Sequence, residues 1–356
     1  MSPGATVDEP TLNPDQPQSS PAPITAPPEP ENPIRWIFIG ENGIRAGWGI
    51  ALFIIVVFAC AVSINFVVRH FFHPPHHADN APLTPLMGFI FEGLQVLVVV
   101  IATGILALVE RKPIVAYGYQ GTHRALRFFS GLIWGFIAIS ALVLSLHWSG
   151  YLAFDGQALH GTSILQYAAE WGFMFLLVGI CEESMLRGYV QYTFTRGIGF
   201  WWGALILSCM FGFGHSSNPG ESPIGLFAAG AVGLVFCLSI WYTGSLWWAV
   251  GCHAAWDWGE SYFYGTSDSG MVAQGHLFSE HPLGKVIMSG GLTGPEGSLY
   301  TIPLLLLMAL CMWLWWGRRG PSPFAGQGWR PAWSRMPRVA DSAPVGELGK
   351  AVSEGY

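Results

Sequence analysis

The chain has 356 residues, of which 51% are hydrophobic and only 11% charged. A soluble domain carries about a quarter charged residues, so this balance points to lipid. The net charge of −6 comes with no basic block, which excludes nucleic acid as a partner.

The first 33 residues hold ten prolines. They lack the basic start and short apolar stretch of a cleaved signal peptide. Residues 1–44 are read as a disordered Pro-rich tail. Residues 45–317 are read as a membrane bundle. About 20 apolar residues cross a bilayer, and the runs Ala46–Val68, Leu86–Val109 and Phe128–Leu146 meet that length. A fourth span, Ile164–Arg196, is interrupted by polar residues, and Gly197–Gly214 is the fifth. Ser222–Cys252 is too long for one crossing. A tight turn at Thr243-Gly244-Ser245 divides it into spans six and seven. Gly297–Gly317 is the eighth, and residues 318–356 form a second disordered tail. The expected fold is thus an all-α polytopic bundle of about eight transmembrane helices. Such long continuous runs exclude a β-barrel.

Lys and Arg set the orientation. One side receives Arg35, Arg45, Arg111, Lys112, Arg124, Arg127, Arg196 and six basic residues of the C-terminal tail. The other receives Arg69 and Lys285, with Arg187 set aside as functional. Thirteen against two places both termini in the cytoplasm, in the plasma membrane. The opposite side carries a His-rich loop (His70, His73, His76, His77) and a Gly-rich loop from Gly265 to Glu296. The Pro-interrupted His loop is poorly preorganised for metal. The six cysteines all fall inside apolar runs. They form no disulfide framework and are read as small core hydrophobes.

Ionisable groups in a span are costly and mark function by default. Span four contains Glu182-Glu183-Ser184-Met185-Leu186-Arg187. Glu183 and Arg187 are i and i+4 and can pair, while Glu182 points elsewhere round the helix. Span five ends Phe211-Gly212-Phe213-Gly214-His215, and span seven contains His253-Ala254-Ala255-Trp256-Asp257. At about 1.5 Å per residue, Glu182, His215 and His253 reach compatible depths. Taken singly, each has a structural explanation: a solvated Glu pair, a packed His, an Asp pairing with His253. Glu92 and Glu170 are left out of the site as interface residues.

The three segments EESMLR, FGFGH and HAAWD resemble the EExxxR, FxxxH and Hxxx(N/D) motifs of the CPBP family. That family holds the type II CAAX prenyl endopeptidases and bacteriocin self-immunity relatives. The resemblance covers residues 160–265. It implies an eight-helix bundle with a water-filled cavity opening to the cytosol, and an intramembrane endopeptidase. Glu182 would activate water with His215, and Arg187 would position Glu183. His253 and residue 257 would stabilise the oxyanion. The substrate would be a peptide or a lipidated protein in the bilayer. Asp257 stands where the eukaryotic prenyl proteases carry Asn, and a carboxylate cannot donate to an oxyanion. It is therefore read as protonated, as orienting an imidazolium at His253, or as a metal ligand. The metal-assisted version is preferred, with Glu182, His215 and His253 holding zinc or another divalent metal. The alternatives are a non-catalytic scaffold or immunity module of the same fold, and a transporter with a proton relay. No HExxH, GxGD or GxSxG segment supports another protease type.

Overall fold

The computed structural model describes residues 37–40, 43–72 and 83–330. A short strand pair, β1 (Ile39–Gly40) and β2 (Gly43–Ile44), precedes helix α1, Ala46–Val67. Helix α2 spans Pro85–Glu110. The Thr84 hydroxyl accepts from the Met87 N–H at its start, and Pro85 sits where its missing N–H costs nothing. Helix α3 is Arg124–Trp148 and leads to strand β3, Leu152–Gln157. Helix α4, Ser163–Glu183, passes through a wide π-type turn, Ser184–Gly188, into α5, Tyr189–Gly197. Helix α6 is Phe200–Gly214, and α7 is Pro223–Thr243 with Ser222 as its cap. Gly244 ends α7 at φ 69°, a left-handed conformation that suits glycine. Helix α8 starts at Trp247, and its π-type continuation ends at Tyr264. Strand β4, Phe278–Pro282, pairs antiparallel with β3. A short α9, Val286–Ser289, precedes α10, Thr301–Met312, whose last turn runs to Gly317.

Ala46–Phe71, Pro85–Glu110, Arg124–Trp148, Ser163–Gly197 and Pro223–Thr243 are long and apolar enough to cross a membrane. Helices α6, α8 and α10 are shorter and pack against them. The chain is an all-α membrane helix bundle. Helix α1 lies at its rim, since only 6% of its apolar window is buried, and Ile55, Phe58 and Phe66 face outward. In water this surface would drive aggregation; in hydrocarbon it is the solvated face.

Close helix contacts replace a hydrophobic driving force inside lipid. A Cβ on Gly131 would lie 2.3 Å from the Trp248 carbonyl oxygen, and one on Gly135 2.1 Å from that of Cys252. A Cβ on Gly251 would lie 2.3 Å from the Phe128 carbonyl oxygen. Helices α3 and α8 therefore touch backbone to backbone. Gly179 lets α4 approach α8 similarly, with the Val250 carbonyl oxygen 2.9 Å from its Cβ position.

Two boundaries differ from the sequence reading. The seventh helix, which the sequence reading carries through Asp257, continues to Tyr264, where Trp256 and Tyr262 are buried. Residues 318–330 are also not a structureless tail. Phe324 stacks on Phe200 at 4.9 Å between centroids, Trp329 meets Trp202 at 5.3 Å, and the Ser322 hydroxyl donates to the Trp241 carbonyl. Aromatic anchors hold that arm against the ends of α6 and α7. Residues 1–36 and 331–356, with His73, His76 and His77, lie outside the described residues.

Candidate active site

The end of α4 supplies the first part. Glu183 and Arg187 have no exposed side-chain surface, and Nη1 lies 2.9 Å from Oε1. Burying two charges costs several kcal/mol each unless they are well paired, and this pair is held from several sides. The guanidinium sits over the Phe211 ring at 4.5 Å and the Phe236 ring at 5.8 Å. A Cβ at Gly233 would lie 2.5 Å from Arg187 Nη2, so only glycine leaves the guanidinium its space.

Helix α8 supplies the second part. His253 Nδ1 lies 3.1 Å from Glu183 Oε1, and the ring stacks on Phe236 at 5.3 Å. Its Nε2 faces Glu182 Oε2 at 3.7 Å and Asp257 Oδ2 at 3.5 Å. Glu183 is thus the hub that joins Arg187 to His253. Glu182, one position earlier and about 100° round the helix, points into open space; its side chain is 36% exposed.

The end of α6 supplies the third. His215 Nδ1 lies 2.7 Å from the Phe211 carbonyl oxygen. A carbonyl only accepts, so Nδ1 donates, and a neutral ring then keeps Nε2 as an acceptor. The Phe211 ring meets His215 edge-on at 4.7 Å and His253 at 6.3 Å. The aromatic residue of this segment is a spacer between the guanidinium and both imidazoles.

Glu182, His215, His253 and Asp257 line one cavity of about 490 Å³. Glu92, left aside in the sequence reading, lines it too, as do Asp268 and Glu296. Glu170 does not; it is exposed and accepts from Gln166. Ligand atoms of Glu182, His215 and His253 do not close on one point. Among the described residues the metal-capable group within 4.8 Å is instead Glu260, Asp268 and Glu296.

The cavity runs from Glu182 and His253 to Leu83, Asn218, Met271 and Glu296. Met271 and Phe91, both lining residues, reach the surface at 49% and 63% exposure. That end of the bundle carries the starts of α2 and α7 and the loop after α8. The basic residues Arg45, Arg111, Arg124 and Arg196 all sit at the other end. A cytosolic cavity mouth and cytoplasmic termini therefore exclude one another.

Residues 162–259 match the family described as Type II CAAX prenyl endopeptidase Rce1-like. That stretch holds all three motifs, and over it the chain is similar to the CAAX-protease family. No curated protein matches the chain.

Proposed function

We propose that the chain is an intramembrane endopeptidase acting on peptide segments that enter the cavity from the bilayer or from its mouth. The carrying observation is that Glu182, His215, His253 and Asp257, from three helices, line one cavity with Glu183 and Arg187 behind them. Glu182 takes a proton from a water held against His215 Nε2. The resulting hydroxide attacks the scissile carbonyl carbon, and the negative charge moves to the carbonyl oxygen. His253, held by Glu183 and Asp257, donates from Nε2 toward that oxygen; such donors are worth several kcal/mol in a dry site. Collapse breaks the C–N bond, and Glu182 returns its proton to the leaving nitrogen.

Zinc or another divalent metal on Glu182, His215 and His253 would need their ligand atoms to converge. The resting geometry spreads them, so no step is routed through a metal.

The test is cleavage of a quenched peptide library by the purified chain in proteoliposomes. Glu182→Gln and His215→Ala should each lose about 10²–10⁴-fold in rate, with unchanged thermal stability, and a chelator selective for zinc over calcium should leave the wild type active. Absence of cleavage by the folded wild type would favour the non-catalytic scaffold instead, and wild-type cleavage by a folded Glu182→Gln protein would take Glu182 out of the base role.

The basic end faces the cytoplasm in this reading, so the mouth faces the opposite side. A cytosolic prenylated CaaX tail is then a poor fit. An extracytoplasmic or membrane-embedded peptide suits the mouth, with exposed Phe91 at its lipid edge.

A further inference from the structure

Outside the catalytic set, three acids converge from distant points of the chain. Glu260 closes α8, Asp268 lies in the loop that follows, and Glu296 sits just before α10. One carboxylate oxygen of each lies within 4.8 Å of the others. Like charges so close repel strongly unless something neutralises them. Hydrogen bonds meet part of the need. Trp256 Nε1 donates to Glu260 Oε2 at 2.7 Å, and the Ser261 hydroxyl to Asp268 Oδ2 at 2.9 Å. Glu296 Oε1 accepts the Ser269 N–H and hydroxyl, each at 2.9 Å.

Glu260 supplies an independent sign. The residue is 0% exposed, yet its Oε1 has no hydrogen-bond partner. An orphaned buried carboxylate oxygen is costly. Gly294, at φ 112°, stands beside it: a Cβ there would lie 3.3 Å from Glu260 Oε1 and 2.0 Å from the Ser267 carbonyl oxygen. No other residue type leaves that space open. Burial, and then repulsion from Glu296, push the Asp268 carboxyl up to about 7. Burial likewise raises Glu296, with His215 opposing.

We propose that Glu260, Asp268 and Glu296 bind a hard divalent cation of the Ca²⁺ class. An all-oxygen carboxylate set with hydroxyl and carbonyl oxygens nearby suits that ion, whereas zinc sites draw on His and Cys. The ion ties the end of α8 to both ends of the loop that walls the cavity mouth. Asp268 and Glu296 line the cavity, so the site fixes the shape of the entrance rather than the chemistry. It does not rest on the proteolytic reading.

Trp256 makes the test direct, because an indole bonded to a ligand sensitises terbium emission. The full chain in detergent, stripped of metal, is titrated with Tb³⁺ under indole excitation and then with Ca²⁺. Saturable emission that Ca²⁺ displaces is expected. Glu296→Gln and Asp268→Asn should weaken Ca²⁺ by about tenfold or more, since affinity follows ligand charge, and Glu170→Gln should bind as wild type. Trp256→Phe should lose emission yet keep Ca²⁺ binding by calorimetry. A folded wild type without Ca²⁺-displaced emission, as expected of carboxyls that only share protons, would overturn the proposal. So would a Glu296→Gln protein that binds Ca²⁺ as the wild type does.

Discussion

Arg187 shows how much one side chain can carry. It neutralises Glu183, and through Glu183 it fixes Nδ1 of His253. Removing it strands a buried carboxylate, for which about 3–5 kcal/mol is the usual loss. Arg187→Ala should therefore lower the thermal midpoint and cleavage together, while Glu182→Gln lowers cleavage alone. Equal thermal midpoints for Arg187→Ala and wild type in a melting assay would show that the pair is not structural. The residues of this hub were legible in the sequence because each is a charge inside an apolar run, where chance rarely puts one. Glu260, Asp268 and Glu296 were not. Glu260 lies beyond the point where apolar character faded, and the other two sit in a Gly-rich loop with no periodicity. Only the path of the folded chain brings them together.

Between helices, the decisive contact is α3 on α8. Gly135 has no room for a methyl group against Cys252, the residue next to His253. Gly135→Ala should force the two helices apart at about 1–3 kcal/mol, the usual cost of overpacking. It should also impair cleavage by moving His253, which a thermal melt and a kinetic assay on the same sample would reveal together. An unchanged melt would mean that the helices yield without cost. The strand pair β3–β4 answers to pH. Burial raises the Glu280 carboxyl from 4.5 to about 7, with His281 opposing and Asp155 adding. His281 and Asp155 are themselves paired at 2.9 Å. The folded chain then holds more protons than the unfolded one between those values, so stability falls as pH rises through the window. Amide exchange, corrected for intrinsic rate, should show the ladder less protected at pH 8 than at pH 5, and Glu280→Gln should flatten that difference. A ladder equally protected at both would refute it. The sequence offered no sign of this ladder. Its two strands lie more than a hundred residues apart, and neither alternates cleanly.

At the scale of the molecule, the polarity of the bundle is the main expectation. A reporter fused after Tyr356 should behave as cytoplasmic and one inserted near Gly291 as external. The reverse pair would put the cavity mouth in the cytosol and restore a prenylated tail as a plausible substrate. The apolar helices were readable from hydropathy, five of them long enough to cross a membrane, whereas the side on which the cavity opens was not. That depends on which halves of α2, α7 and α8 diverge, and hydropathy is blind to divergence. The same asymmetry has an electrical meaning. Among the described residues Arg45, Arg111, Lys112, Arg124, Arg127 and Arg196 gather at one end, with Glu110 as their one acidic neighbour there. The protein is thus a dipole along the membrane normal. With the basic end inside, a resting voltage negative inside favours this arrangement, each charge that spans the full field contributing about 2.3 kcal/mol per 100 mV. An energised membrane would then help to hold the bundle the right way round.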